Sequence, residues 1–398
     1  MKPLSIKAIA VQPSATLAID SKFKQMKAEG LDVVGFGAGE PDFDTPQYIK
    51  DAAIKAINDG MTKYTPASGM LELKKAICEK LQRDNGLSYE PANIVVSNGA
   101  KHALFNALNA VCNNGDEVIV PSPYWVSYTE MVYMVDAIPV RIPTHERDEF
   151  KITAEQLRAA ITPRSKVLML NSPCNPTGMI YSEEELRAIA DICVENDLYV
   201  ISDEIYENLV YDHYKHVSIA SFNDEIKKRT IVINGVSKSY AMTGWRIGYS
   251  ASNPEIAKVI SNFQSHAASN PNSIAQCATI AALRGPQDEM KKMVAAFDER
   301  RNYMVKRMNE IEGVHCIKPH GAFYVMMNLK KILGTQLYGQ TIETADQFCQ
   351  LFLEKAGVAL VPGTSFDAPK HCRWSYATSM KNIEEGLNRL EKFLKEEY

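Results

Sequence analysis

The chain has 398 residues, of which 45% are hydrophobic and 23% are charged, the composition of an ordinary globular protein of about two to three domains. Its 48 acidic and 44 basic residues give a formal net charge of −4, which argues against nucleic acid as the main partner because no basic excess is available for phosphates. No apolar run reaches the roughly 18 residues of a membrane helix, and neither the eight cysteines nor the eight histidines show metal-ligand spacing. We therefore expect a soluble, cytoplasmic protein with reduced cysteines, no membrane contact and no metal.

The N-terminal part of the chain contains the stretch GFGAGEPDFDTP and few regular patterns. Its glycines nearly match the dinucleotide-binding pattern, but Glu40 and Pro41 stand where the helix of such a site must begin. The composition predicts an irregular arm over residues 1–45 that packs across a domain junction or against a partner subunit.

Short apolar strands then alternate with amphipathic helices. The expected strands are residues 93–97, 117–121, 139–143, 167–171, 199–203, 230–234 and 247–250. Expected helices among them are residues 99–112, 154–161 and 182–196, the last opening with the capping box of Ser182 and Glu185. The alternation predicts an α/β fold in which residues 46–285 form a large domain, with a mostly parallel sheet flanked by helices.

Long helices dominate the remainder of the chain, at residues 288–312, 344–356 and 382–397. They enclose short strands at residues 321–328, 358–362 and 373–377. This pattern predicts a smaller α+β domain over residues 286–398.

Four polar clusters follow expected strands, where a sheet of this kind binds its ligands. SNGAK (97–101) opens a helix with small residues and suits a phosphate, although a plain helix cap with a solvated lysine has the same pattern. NSPCNPTG (171–178) predicts a rigid turn that projects a polar side chain at the sheet's carboxyl edge, although an ordinary turn has the same pattern. Asp203 ends an apolar strand, and an aspartate at this position is usually either a helix cap or the partner of a buried cation.

The fourth cluster contains Lys238 between small residues, shortly before Arg246. A lysine at the end of an apolar strand can be desolvated into a nucleophilic amine, while a surface lysine is the commoner case. Together the four clusters place a phosphate cradle, an acid and a lysine at one sheet edge. Pyridoxal phosphate requires that set.

These residues lie in a longer series of motifs through which the chain resembles the class I aminotransferases of the fold-type-I pyridoxal-phosphate enzymes, most of all the bacterial aspartate aminotransferase branch. The matching stretches are GAGEPDFDTP (37–46), KYTPASGMLELK (63–74), NGAKHALF (98–105), PSPYWVSY (121–128), NSPCNPTG (171–178), SDEIYE (202–207), SKSYAMTGWRIGY (237–249), GAFYVM (321–326), VPGTSF (361–366) and RWSYATS (373–379). They are collinear and cover nearly the whole chain.

The resemblance implies pyridoxal 5'-phosphate as cofactor and three catalytic residues. Lys238 would hold the cofactor covalently and move the substrate α-proton. Asp203 would keep the pyridine nitrogen protonated, and Tyr206 would hydrogen-bond the ring hydroxyl.

The resemblance also implies the remaining contacts of cofactor and substrate. Besides the three catalytic residues, those at the cofactor would be Gly99, Ala100, Lys101, Trp125, Asn175, Ser237, Arg246 and Tyr64. Trp125 would stack on the ring, and Tyr64 would reach the phosphate of the neighbouring subunit, so that a homodimer shares its active sites. Arg373 would bind the substrate α-carboxylate beside the Gly39 backbone, with Trp125 and Asn175 also at the substrate.

The substrates implied are a small amino acid and a 2-oxo acid, and we favour L-aspartate with 2-oxoglutarate. Lys101 is the candidate cation for a distal carboxylate, with Ser14 and Thr16 beside the substrate side chain. Prephenate or aromatic substrates remain open, because uncharged Gln12 lies in the segment that tunes this choice. A carbon–sulfur lyase or cyclopropane-forming synthase shares fold and cofactor but is disfavoured by the NPTG and YATS contexts. A cofactor-binding regulator would need a DNA-binding segment before residue 37, which we do not expect.

Overall fold

The computed structural model describes residues 2–398. The strands in this range are β1 (Val34–Gly35), β2 (Ile94–Ser97), β3 (Glu117–Ser122), β4 (Ile138–Pro143), β5 (Ser165–Asn171), β6 (Tyr199–Asp203), β7 (Thr230–Gly235), β8 (Gly248–Ala251), β9 (Tyr324–Asn328), β10 (Gln336–Leu337), β11 (Gln340–Thr341), β12 (Val358–Ala359), β13 (Val361–Pro362) and β14 (His371–Ser375). The α-helices are α1 (Ile6–Ala10), α2 (Ala15–Ala28), α3 (Gln47–Asn58), α4 (Leu71–Asn85), α5 (Ala100–Val111), α6 (Ser127–Met134), α7 (Ala154–Ala160), α8 (Glu183–Glu195), α9 (Asp224–Arg229), α10 (Pro254–Ala267), α11 (Ser273–Arg284), α12 (Asp288–Glu310), α13 (Ala345–Ala356) and α14 (Met380–Leu394). None of these helices has the length and apolar character needed to cross a membrane.

Seven strands form the main sheet in the order β2-β8-β7-β6-β5-β3-β4. The run from β7 to β4 is parallel, and β8 is antiparallel to both β7 and β2. β6 and β7 are almost entirely buried along their lengths, as expected of parallel strands covered by helices on both faces. The expected mostly parallel sheet is confirmed, and each of its seven expected strands lies within two residues of its observed bounds.

The parallel strands end at one edge of the sheet, and that edge positions the site. β5 ends at Asn171, β6 ends at Asp203, and β7 ends three residues before Lys238. Asn171 and Asp203 are register partners, so side chains from the ends of neighbouring strands converge. The expected capping box begins α8, where the Ser182 hydroxyl accepts a hydrogen bond from the Glu185 backbone N–H.

Smaller sheets lie in the C-terminal part of the chain. β13, β14 and β9 form an antiparallel sheet in that order, while β12 pairs in parallel with β1. The single strand expected at residues 358–362 is therefore two short strands in two sheets. The pairing of β12 with β1 also ties the N-terminal segment to this part of the fold.

The expectation of an irregular arm over residues 1–45 was wrong for α1 and α2. Neither helix buries any residue fully, so the apolar stripe that marks an amphipathic helix is weak in the sequence. The arm does bridge the two parts of the fold. On one side Lys7 pairs with Asp136 at 2.9 Å, and on the other Val34 of β1 pairs in register with Val358 of β12.

Candidate active site

A cavity of about 450 Å³ opens at the carboxyl edge of the main sheet, between that sheet, the N-terminal arm and the C-terminal strands. It brings together all the expected site residues except Gly99 and Tyr64. Those lining it are Gly39, Ala100, Lys101, Trp125, Asn175, Asp203, Tyr206, Ser237, Lys238, Arg246 and Arg373. Gly99 lies directly behind Arg246, whereas Tyr64 lies on the connection between α3 and α4 with 91% of its surface exposed.

Lys238 extends from the turn after β7 into the cavity. Its Nζ donates a hydrogen bond to the carbonyl oxygen of Gly39 at 2.5 Å. Desolvation lowers the pKa of Lys238 to about 8; the negative charge of Glu40 opposes this shift, and the nearby charges of Arg246 and Arg373 add to it. An amine with this pKa is partly neutral near pH 7, as a nucleophile or proton acceptor requires.

Asp203 is buried at the end of β6 with only 3% of its surface exposed. Burial raises its pKa to about 6, against the opposing effect of hydrogen bonds from the Tyr128 hydroxyl, at 2.7 Å, and the Ile205 backbone N–H. The carboxylate can therefore hold a proton shared with a ligand nitrogen. Tyr128 was not among the expected site residues, although it ends the matching stretch PSPYWVSY.

Arg373 lies fully buried on β14 and crosses to the main sheet. Its Nη1 donates to the Asn175 Oδ1 at 2.9 Å and its Nη2 donates to the Gly37 carbonyl at 2.8 Å, while its Nε has no partner among the described residues. The backbone N–H of Asn175 is in turn held by the Asn171 Oδ1 at 2.8 Å. Two oxygen acceptors thus orient a guanidinium that still has donors available for a carboxylate.

Aromatic rings hold this guanidinium in place. The Arg373 Cζ lies 4.3 Å from the ring centroid of Tyr324 and 4.8 Å from that of Phe366. The Tyr324 hydroxyl is 2.9 Å from the Tyr206 hydroxyl, so one hydrogen bond joins the C-terminal strand β9 to the turn after β6. Sequence reasoning missed Tyr324, whose only signal was its place in the matching stretch GAFYVM.

At the other end of the cavity, α5 begins at Ala100 with its free backbone N–H groups, the arrangement that binds phosphate. Gly99 has a φ of +87°, and a Cβ there would lie 2.3 Å from Arg246 Nη2. Only glycine permits that approach. Arg246 is itself directed by the carbonyls of Thr243 and Asn98, and Ser237 is buried beside it.

Four cations that line the cavity lack a carboxylate partner in the described part of the chain. Lys101, Lys238, Arg246 and Arg373 have no carboxylate within 4.0 Å among residues 2–398, whereas Lys24 at the rim is paired with Asp20 at 2.7 Å. Lys101 instead lies 4.8 Å from the centroid of the Trp125 ring. Arg373 is buried without a counter-ion from the described residues, whereas Lys101 and Arg246 are exposed beside the start of α5. A carboxylate beside Arg373 and a phosphate at the start of α5 would balance these charges.

The residues expected beside the substrate side chain separate into two groups. Ser14 and Thr16 line the cavity, with their hydroxyl oxygens 3.0 Å apart. Gln12 does not line it; its backbone N–H donates to Glu130 and its side chain to the carbonyl of Ala10.

Comparison with known proteins agrees with this geometry. The family "Aminotransferase class I and II" matches residues 31–390. The chain is 50% identical over 391 residues to an aspartate aminotransferase of Geobacillus stearothermophilus, covering 98% of each protein. It is 45% identical to a probable aspartate/prephenate aminotransferase of Aquifex aeolicus, covering 99% of each. The crystal structure of an aspartate aminotransferase from Rhizobium meliloti matches with a TM-score of 0.96 at 43% identity, covering 100% of both chains.

Proposed function

Because the chain belongs to the class I and II aminotransferase family, we propose that it transfers the α-amino group of L-aspartate to 2-oxoglutarate, forming oxaloacetate and L-glutamate. One observation carries the proposal: a desolvated lysine, Lys238, shares a cavity with a buried guanidinium, Arg373, that has no carboxylate partner among the described residues. A lysine for amine chemistry beside a receptor for a carboxylate is what an amino acid substrate needs.

Enzymes of this family use pyridoxal 5'-phosphate, and the cavity fits that group. Asp203 would supply the acid for the ring nitrogen, and Lys238 would supply the amine. The start of α5, together with Arg246 and Ser237, would hold the phosphate. Tyr206 and Asn175 would face the ring hydroxyl and Trp125 the ring face. When bound, the cofactor supplies an electron sink that stabilises negative charge at the substrate α-carbon.

The protein's own groups supply binding and proton transfer. Arg373 binds the α-carboxylate through its planar fork, which orients the α-carbon toward the lysine. Lys238 Nζ, partly neutral because of its lowered pKa, accepts the α-proton and returns it during the transfer. Asp203, held by Tyr128, keeps a proton on the ring nitrogen.

The preference for aspartate rests on the side-chain end of the cavity. Lys101 offers one cation to a distal carboxylate, and the hydrogen-bonded hydroxyl pair of Ser14 and Thr16 offers one further donor. A second candidate is an aromatic amino acid or prephenate as substrate, favoured by the relatives named aspartate/prephenate aminotransferases. A carbon–sulfur lyase has no comparable support.

A homodimer with shared active sites is part of the proposal. Tyr64 lies outside its own cavity with an exposed ring, which leaves it accessible to the phosphate site of a second copy. Sedimentation of the native protein and the cofactor affinity of Tyr64→Phe test this: a monomer, or an unchanged affinity, would contradict it.

The domain organisation and the cellular location are proposed on structural grounds. The main sheet lies within residues 94–251 and the three-stranded sheet within residues 324–375, which supports a large domain over residues 46–285 and a small one over residues 286–398, with the arm, residues 1–45, joining them. The eight cysteines are scattered along the sequence with no pair at C-x-x-C spacing, which supports reduced thiols and a cytoplasmic location.

The deciding experiment is an absorbance titration of the purified, cofactor-loaded protein. L-aspartate should convert the spectrum to that of pyridoxamine phosphate, and 2-oxoglutarate should restore it. Conversion by aromatic amino acids alone would replace the aspartate assignment by the second candidate. Failure of every amino acid to change the spectrum would refute aminotransferase activity.

A further inference from the structure

The turn that follows β6 presents two faces. Asp203 and Tyr206 line the cavity, whereas Glu204 and Glu207 do not line it and are nevertheless buried, with 1% and 7% of their surfaces exposed. Buried carboxylates are costly unless hydrogen bonds or cations compensate them. Two of them directly behind a catalytic acid therefore require an explanation.

Glu204 is held by three side chains. Its Oε1 accepts hydrogen bonds from the hydroxyls of Ser202, at 2.8 Å, and Ser218, at 2.7 Å. Its Oε2 lies 3.0 Å from Nε2 of His216, whose side chain is 6% exposed. These contacts connect the turn to β6 itself and to the loop that precedes α9.

The far end of the turn is fixed separately. Glu207 pairs with the buried Lys80 of α4, and its Oε2 accepts a hydrogen bond from the Asn85 side chain at 2.8 Å. Next to it, the side chain of Asn208 donates to the Ser239 hydroxyl at 3.0 Å, one residue beyond Lys238. The turn is thereby linked to the segment that carries the lysine.

We propose that Glu204 is a positioning residue for the transamination proposed above: its buried carboxylate fixes the turn after β6 so that Asp203 and Tyr206 both face the cavity. The Glu204 backbone N–H donates to the Ile233 carbonyl of β7 at 2.9 Å, so main chain and side chain hold the same residue from two directions. Neither contact touches cofactor or substrate, and the effect is transmitted entirely through the two residues that do.

The structure provides a matched control in Glu117. This carboxylate is also buried, with 4% of its surface exposed, and it accepts hydrogen bonds from two hydroxyls, Thr162 and Ser165, and from the cation of Arg164. It begins β3, at the sheet edge opposite the cavity. Glu117→Leu and Glu204→Leu therefore each remove a buried carboxylate with two hydroxyl donors and one nitrogen partner, at the two ends of the sheet.

The test compares the wild type, Glu204→Leu, Glu204→Gln and Glu117→Leu. Two quantities are measured for each: the dissociation constant of pyridoxal phosphate by titration of the cofactor-free protein, and kcat and KM with L-aspartate. Glu204→Leu should weaken cofactor binding and lower kcat by about tenfold each, the equivalent of one missing charge-assisted hydrogen bond. Its KM should stay within about twofold of the wild type, because Arg373 lies on β14 and is linked to this turn through the hydrogen bond between Tyr206 and Tyr324.

Glu204→Gln should restore both quantities to within about threefold, since the amide oxygen still accepts from both serines and the amide nitrogen donates to the imidazole. If Glu204→Leu behaves like Glu117→Leu, or if glutamine rescues nothing, the proposal is overturned. Should the leucine variant not fold, Ser218→Ala removes one of the three contacts and should shift both quantities about threefold in the same direction. No shift in Ser218→Ala would then refute the positioning role.

The two proposals fail separately. Absence of amino transfer in the wild type refutes the proposed function. The ratio of cofactor dissociation constants between Glu204→Leu and Glu117→Leu tests the positioning role without any turnover.

Discussion

Replacing Arg373 by leucine tests the carboxylate site most directly. The guanidinium lies between the rings of Tyr324 and Phe366, fully buried, and two of its nitrogens are already directed by the oxygens of Asn175 and Gly37. Leucine fills part of this space without charge or donors. The substrate α-carboxylate is then without a bidentate partner.

The size of the effect follows from the two hydrogen bonds that leucine cannot donate. A hydrogen bond to a charged group contributes about 1.5–3 kcal/mol, so two such bonds give about 3–6 kcal/mol. At about 1.4 kcal/mol for each factor of ten, kcat/KM for L-aspartate should fall by about 10²–10⁴-fold. Cofactor affinity should change far less, because Asp203, Lys238 and the phosphate cradle remain.

The assay is steady-state kinetics beside a cofactor titration, with Arg301→Leu as control. Arg301 is equally buried but bonds to Asp298 and to the Pro319 carbonyl, and it does not line the cavity. Its replacement should lower the melting temperature and leave KM unchanged. An unchanged KM in Arg373→Leu, or an equal KM effect in both variants, would refute the role of Arg373 in binding the substrate α-carboxylate.

Three further predictions concern the lysines. Lys238→Ala should fold, retain no covalently attached cofactor by intact mass after borohydride treatment, and transfer no amino group. Normal turnover by this variant would refute the catalytic role of Lys238. Because desolvation lowers the pKa of Lys238 to about 8, the fraction of neutral amine is about a tenth at pH 7 and most of the total at pH 9. The rate at which cofactor-free protein captures pyridoxal phosphate should therefore rise over that interval and then level off, and a rate still rising steeply at about pH 10 would show that the pKa is unshifted. Lys101→Met should raise KM for L-aspartate at least about tenfold while changing KM for a neutral amino acid less than about twofold, measured side by side, and equal changes would remove Lys101 from the distal carboxylate site.

The main sheet and the location of the site were predictable from local sequence. Strands such as β6 and β7 are short apolar runs that end in a polar residue, a pattern that depends on neighbours in the chain and so is visible in it. Lys238 and Asp203 were found because parallel strands place their carboxyl ends at one edge. The resemblance to aminotransferases added Arg373, which no local pattern marks as a ligand.

Other features depend on contacts between distant residues, and these only the tertiary structure decided. α2 buries none of its residues fully, so its apolar periodicity is weak in the sequence. Residues 358–362 divide between two sheets because β12 pairs with β1 whereas β13 pairs with β14. The bond from Tyr128 to Asp203 spans 75 residues and that from Arg373 to Gly37 spans 336. Whether a buried polar side chain binds a ligand or positions a neighbouring residue depends on which groups the fold places in contact with it. Composition and periodicity do not contain that information.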